Sequence, residues 1–192
     1  VTTVQVFVIT LVLSLPLGLP LALGSNSRFK PLSFLCKIYI WIFRGTPLML
    51  QLWFFYFFFP FYFDITLDAF TTAIVTYVLN YAAYFAEIYR GGINSIDKGQ
   101  YEAAYALGLS NRQTLFDIIL PQTMKATLPP IVNEAITLVK DTALVSALSV
   151  VDLMKATNSA VNRMTSLEPF FYAAVIYLIM TFILTLVAGR LE

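Results

Sequence analysis

The side chains best suited to chemistry in this sequence are a few charged residues within long apolar stretches, and Glu134 and Arg44 are the clearest of them. A charge at mid-bilayer costs about 2.5–3.5 kcal/mol, so it usually faces a protein interior or a water-filled cavity. Glu134, beside Asn133, can accept an ammonium group, and Arg44 can pair with a carboxylate. The alternatives are structural. Glu134 can pair with Lys140 or Arg44, and Arg44 can donate to loop carbonyls around residues 45–47.

Weaker polar candidates surround these two. Asn80 and Tyr84 share one helix face with Glu87, and a polar stripe in lipid must face protein or a pathway. Glu87 itself is expected to pair with Arg90. The residues considered for contact with a bound molecule are therefore Glu134, Asn133, Arg44, Thr46, Gln51, Asn80 and Tyr84.

The composition excludes most other classes of protein. Apolar residues make up 59% of the 192 residues and charged residues 12%, against about 25% charge in a soluble domain. A soluble globular protein, a disordered chain and a coiled coil are excluded. The net charge of +1 gives no reason to expect nucleic acid as a partner. With no His and the single Cys36, which is expected to be inert, zinc sites, intrachain disulfides and His-based catalysis are not expected.

The apolar stretches predict an all-α integral membrane protein with about five transmembrane helices in one domain, residues 1–192. A span needs roughly 20 apolar residues. Four charge-free stretches reach or approach this length: Val1–Ser27, Gly45–Phe63, Ala69–Ala86 and Pro169–Gly189. A fifth, roughly Leu115–Leu148, is expected to bend at Leu128-Pro129-Pro130. A signal peptide is the alternative for residues 1–27, although Pro16 and Pro20 interrupt it and no basic leader precedes it. Because the first residue is Val, we expect the natural chain to begin earlier.

Charge bias predicts the orientation of these spans. Basic residues follow spans one, three and five, which places the start of the chain outside and the 91–114 loop in the cytoplasm. The opposite loops contain Asp64, Asp68, Asp152 and Glu168, which are expected to be solvated, and Lys140 and Asp141 are expected to pair locally near the outer mouth. The aromatic-rich stretch 54–63 is expected to pack against lipid rather than bind a cation.

The 91–114 loop is the most informative segment. A short helix, Gln100–Leu107, is predicted between Gly99 and Gly108, with small residues Ala103 and Ala104 suited to close docking on another protein. Gly108 is expected to end it in the left-handed conformation, and Ser110 with Gln113 to form a capping box. Gly91-Gly92 and Gly108 are expected to act as joints, so that the helix moves as a unit.

Glu102-Ala103-Ala104-x-x-x-Gly108 resembles the cytoplasmic "EAA" loop of ATP-binding-cassette (ABC) importer permeases. Further motifs resemble their polar amino acid uptake subfamily: Phe43–Leu48 with Gln51, Ala86–Gly92, Lys98-Gly99-Gln100 and Leu138–Thr142. The resemblance covers nearly the whole chain. At Asp97 the family often has Pro, a departure that we expect to change little.

The resemblance implies a type I importer permease in a bacterial cell membrane. It implies a second permease subunit, identical or related, cytoplasmic ATPase subunits that hold ATP and Mg²⁺, no cofactor in this chain, and an extracytoplasmic binding protein that delivers polar amino acids. Contact with the ATPase is implied for Gly99, Tyr101, Glu102, Ala103, Ala104, Leu107 and Gly108. The rival class is a channel or ion-coupled carrier working alone, which has no use for a cytosolic docking helix. A purely structural membrane scaffold is a third possibility.

Overall fold

The computed structural model describes residues 1–190, which form a helical bundle and contain no strand. The all-α prediction is thus confirmed. The helices are α1 Thr2–Ser25, α2 Lys30–Gly45, α3 Leu48–Trp53, α4 Phe59–Phe63, α5 Ala69–Ser95, α6 Lys98–Ala106, α7 Asn111–Gln113, α8 Leu120–Asp141, α9 Leu153–Met164 and α10 Glu168–Ala188. π-helical turns occupy Phe54–Phe58 and Thr114–Ile119, and a 3₁₀ segment occupies Thr142–Leu148.

Within residues 1–190, helix length and composition identify three candidate membrane spans, α1, α5 and α10. The bent pair Lys30–Gly45 with Leu48–Phe63 makes a fourth if its two helices are counted as one span. The fifth predicted span is helical from Thr114 to Leu148, but it carries five charged residues. It does not meet the criterion of length and apolar composition that the other spans meet. Its crossing of the membrane stays a prediction.

The second span differs from the prediction of a single helix over residues 45–63. α2 begins at Lys30, and the chain turns by 105° before Leu48. Thr46 is extended, with φ −118° and ψ 144°, because the residue before a proline is disfavoured in the helical region and Pro47 follows it. Lys37 consequently lies within a helix.

α8 continues as one helix through Pro129 and Pro130, so the helix is not broken there, and a bend at these prolines stays a prediction. The irregular turns lie at its two ends instead. The π-helical turn ends at Ile119, two residues before Pro121, which has no N–H to donate into the preceding turn. Within α8, the Thr127 hydroxyl donates to the Thr123 carbonyl at 2.9 Å, which gives this buried hydroxyl a partner.

α5 is the central helix and packs against α1, α2, α3 and α8. Its large buried side chains Tyr77, Tyr81 and Phe85 form the middle of the core. Where α1 crosses α5, a Cβ on Gly18 would lie 2.8 Å from the Cβ of Phe85, so the two backbones approach closely only because Gly18 has no side chain.

Gly91-Gly92 is not a joint, because α5 runs unbroken through both glycines to Ser95. A Cβ on Gly92 would collide with the methyl group of Thr127. Gly92 therefore allows α5 and α8 to touch, and Gly91 beside it has open space around its Cα.

Two predictions about acidic residues are also wrong. Asp152 is buried rather than solvated, since it caps α9 by accepting from the backbone N–H of Lys155 at 2.8 Å and of Met154 at 3.1 Å. Burial raises the pKa of its carboxyl above the ordinary value, even though these hydrogen bonds oppose the shift. Within residues 1–190 Asp141 makes no ion pair with Lys140; its carboxylate faces α5 instead.

Asp68 is exposed, as predicted, and it caps α5 by accepting from the Thr71 N–H at 3.0 Å. Hydrogen bonds from Thr71 lower the pKa of this carboxyl.

The aromatic stretch 54–63 packs mainly ring against ring, as Phe54 and Phe58 do with centroids 4.5 Å apart. In the described part of the chain the cation–π contacts lie elsewhere, at Tyr84 and Phe116.

Candidate coupling helix and membrane cavity

α6 has a defined beginning and end. Oδ1 of Asp97 accepts from the Gly99 N–H at 2.6 Å and caps the first turn. Gly108 ends the helix with φ +75°, as predicted. Ser110 and Gln113 form the predicted capping box, which starts the next helical segment. Local sequence therefore fixes α6 at both ends.

Most of α6 faces away from the bundle. Glu102, Ala103 and Leu107 are exposed, and 80% of the Leu107 side chain is accessible. Ala104 is instead 3% exposed, because α6 packs on the π-helical turn Thr114–Ile119. Tyr101 is half-buried, and desolvation raises the pKa of its phenol. Ala104 thus seats the helix on its own chain, while the other residues remain available to a partner.

A cavity of about 560 Å³, which we call the outer cavity, brings together five of the seven predicted contact residues. It lies between the bend after α2, the middle of α5 and the second half of α8. The predicted residues in its wall are Arg44, Thr46, Asn80, Tyr84 and Glu134. Asn133 is exposed and absent from this wall, and Gln51 lines a separate, largely apolar cavity.

Arg44 stands beside α5 and not over the loop carbonyls. Its Nη1 lies 3.7 Å from Oε1 of Glu87, and its guanidinium lies 5.4 Å from the centre of the Tyr84 ring. Glu87 is held more closely by Arg90, whose Nε donates at 2.9 Å, so the predicted pair with Arg90 is confirmed. The alternative pairing of Glu134 with Lys140 or Arg44 is not seen among the ion pairs of residues 1–190.

Gln51 takes the structural role that had been considered for Arg44. Its Nε2 lies within hydrogen-bond distance of the Phe43 carbonyl at 2.9 Å and of both oxygens of Thr46, Oγ1 at 2.7 Å and the carbonyl at 3.1 Å. Asn80 donates to Oε1 of Gln51 and to the Phe43 carbonyl, each at 3.0 Å. These buried amides satisfy backbone groups that the bend leaves without helical partners.

Sequence reasoning missed three polar residues in the cavity wall: Tyr81, Thr137 and Asp141. Asp141 was assigned to a local pair with Lys140 because the two are adjacent in sequence. Thr137 follows Glu134 by three residues, a spacing that places both on one face of a helix and could have found it.

The structure combines candidate membrane-spanning helices with a polar cavity between them and a short exposed helix, α6. This combination defines the class of helical membrane transport proteins. A family model described as "Binding-protein-dependent transport system inner membrane component" matches residues 14–192, and the chain belongs to that family. The resemblance to importer permeases is thereby confirmed.

Individual relatives agree with this assignment. The "Arginine transport system permease protein ArtQ" of Bacillus subtilis (strain 168) is 41% identical over 191 residues, which cover 99% of this chain and 87% of that protein. The "L-cystine transport system permease protein TcyB" of the same strain is 38% identical, with 99% and 82% covered. A solved structure described as "Crystal structure of an amino acid ABC transporter with histidines" superposes with a TM-score of 0.92 at 32% identity, covering 99% of this chain and 89% of that one.

Proposed function

We propose that this chain is the membrane-spanning subunit of an ATP-driven importer of polar amino acids. It works with a second permease subunit, identical or related, with separate ATPase subunits that carry ATP and Mg²⁺, and with an extracytoplasmic binding protein. The names of the relatives and the description of the solved structure support the substrate class. In the membrane, the loop that carries α6 is cytoplasmic and the start of the chain lies outside.

The observation that carries this proposal is the exposed face of α6. A short helix with a fixed beginning and end presents Glu102, Ala103 and the 80% exposed Leu107 outside the bundle. Covering this apolar side chain with a partner would be favourable, because it removes apolar surface from water. Within these 192 residues there is no G-x-x-x-x-G-K-[ST] sequence, so ATP binding of the P-loop kind belongs to the partner.

The charges of the outer cavity favour an amino acid with a cationic side chain. One cation, Arg44, and two carboxylates, Glu134 and Asp141, lie in its wall. A zwitterion with an additional positive group has the complementary set: one carboxylate for Arg44 and two cations for the acids. Pairing each charge lowers the cost of moving a polar substrate from water into this cavity.

Co-purification separates this function from that of a channel or carrier working alone. A tagged wild-type chain, expressed with its partner subunits, is expected to bring down a nucleotide-binding subunit. Leu107→Asp is expected to reduce the recovered subunit roughly tenfold, because an apolar contact is replaced by a charge that must be desolvated. Leu167→Asp is the matched control, since Leu167 is 75% exposed but precedes α10. Absence of any ATPase from the wild-type preparation contradicts the proposal.

A further inference from the structure

Three cavities follow one another along α2, and each shares a cationic residue with the next. The middle cavity, of about 520 Å³, lies between the end of α1, α2 and α5, and shares Arg44 with the outer cavity. The end cavity, of about 420 Å³, lies beside the loop between α1 and α2 and shares Lys37 with the middle cavity. Lys30 lines the far wall of the end cavity.

The three cations are spaced to lie on one face of α2. Lys30, Lys37 and Arg44 are separated by seven residues each, close to two full helical turns, or about 10.5 Å of rise per step. All three side chains are exposed in the chain. We call this row the cationic row.

Little negative charge opposes the cationic row. The first 63 residues contain no Asp or Glu, so neither α1 nor α2 supplies a counter-charge. Within residues 1–190 the ion pairs involve only Arg44, Glu87 and Arg90, which leaves both lysines without one. Glu87 is bonded mainly to Arg90, at 2.9 Å from its Nε, and lies 3.7 Å from Arg44. Arg44 is therefore only partly neutralised.

The cationic row runs from the outer cavity toward the end of the bundle that carries α6. Asn26, in the loop beside the end cavity, donates to Oδ1 of Asn94 at 3.2 Å. Asn94 lies in the last turn of α5, a few residues before α6 begins. The end cavity and the proposed ATPase contact are thus on the same side.

We infer that Arg44, Lys37 and Lys30 form successive carboxylate subsites along which an amino acid leaves the outer cavity toward the α6 side. The inference rests on the proposed function, since it assumes an amino acid as the transported molecule. The carboxylate of the substrate moves from one cation to the next, and no bond is made or broken. Exposed lysines bind a carboxylate weakly, which suits a pathway, because each site must hold an ion briefly and release it.

The test uses the complete transporter, with its ATPase and binding protein, in lipid vesicles. Lys37→Gln is expected to slow amino acid uptake by up to about fivefold, because an exposed ion pair contributes little to binding. Lys37→Arg keeps the charge and is expected to restore uptake, whereas Lys37→Glu is expected to be slower than Lys37→Gln. Lys125→Gln is the matched control, because Lys125 is an exposed lysine of α8 that lines none of the three cavities.

Several results would overturn the inference. Wild-type uptake by Lys37→Gln would remove Lys37 from the pathway, and failure of Lys37→Arg to restore uptake would assign the residue to packing. A lipid headgroup is the competing anion, so uptake is measured in phosphatidylcholine vesicles with and without phosphatidylglycerol. A defect confined to the vesicles with phosphatidylglycerol would replace the pathway by a lipid site. If the wild-type transporter takes up no amino acid, the proposed function itself fails, which is distinguishable from a variant-specific result.

Discussion

The Tyr81 hydroxyl donates a hydrogen bond of 2.7 Å to Oδ2 of Asp141, which joins the middle of α5 to the last residue of α8. Tyr81 is 1% exposed, so α5 holds this phenol rigidly. One turn away, the Tyr77 hydroxyl donates to the backbone carbonyl of the same aspartate. The Asp141 carboxylate in the wall of the outer cavity is therefore positioned by two tyrosines of the central helix.

Tyr81→Phe is expected to lower the free energy of unfolding in detergent by about 1.5–3 kcal/mol, because it leaves the half-buried carboxylate of Asp141 without its side-chain donor. Asp141→Asn is expected to cost less, since the amide oxygen of Asn can still accept from the Tyr81 hydroxyl and the amide leaves no charge unpaired. A double-mutant cycle with both changes, measured by thermal or denaturant unfolding, should show coupling. Additive effects would mean that the bond contributes nothing.

Gly91 and Gly92 provide a matched pair for the contact between α5 and α8. Gly92→Ala is expected to destabilise the protein because its methyl group collides with Thr127, whereas Gly91→Ala meets open space and is expected to stabilise α5 by up to about 1 kcal/mol. Thermal unfolding of the two variants measures the difference. Equal stability of the two would contradict the close approach of the helices at Gly92.

Substitutions of Gly108 test whether the end of α6 matters for coupling ATP hydrolysis to transport. Its φ of +75° disfavours β-branched residues strongly and Asn only mildly, while a Cβ at this position would meet no atom within 4 Å and so would add no clash. Gly108→Val is therefore expected to distort α6 and reduce transport per ATP hydrolysed, and Gly108→Asn to retain most of it. The ratio of uptake to ATP hydrolysis in vesicles is the measurement. Normal coupling in Gly108→Val would count against a coupling role.

The buried amides at the bend predict a stability effect. Asn80→Leu removes the donor to Oε1 of Gln51 and to the Phe43 carbonyl, and it is expected to cost about 1–3 kcal/mol. Asn133→Leu is the control, because Asn133 is exposed on α8. Unfolding measurements compare the two. An unchanged uptake rate in Asn133→Leu would also remove that residue from the predicted substrate contacts.

The features predicted correctly are those that a few neighbouring residues determine. The capping box of Ser110 with Gln113 and the left-handed Gly108 follow from local hydrogen bonds and backbone sterics. The pair of Glu87 with Arg90 depends only on helical spacing.

The features that were missed depend on packing between distant segments. Asn80 meets Gln51, and Tyr81 meets Asp141, only after α5 has packed against the bend and against α8. The start of α2 was missed for another reason: span boundaries were placed at charged residues, and Lys30 and Lys37 lie inside that helix. Their spacing of seven residues was the signal that the helix continues through them.

The chain turns by 105° after Gly45, so Arg44 lies next to the corner and the rest of α2 extends away from it. Lys30 lies 14 residues away, or about 21 Å along the axis. A tilt of about 5° about that corner would shift Lys30 by about 2 Å while Arg44 stays nearly in place. Such a tilt would widen or narrow the proposed pathway at Lys30, while Arg44 keeps its position in the wall of the outer cavity.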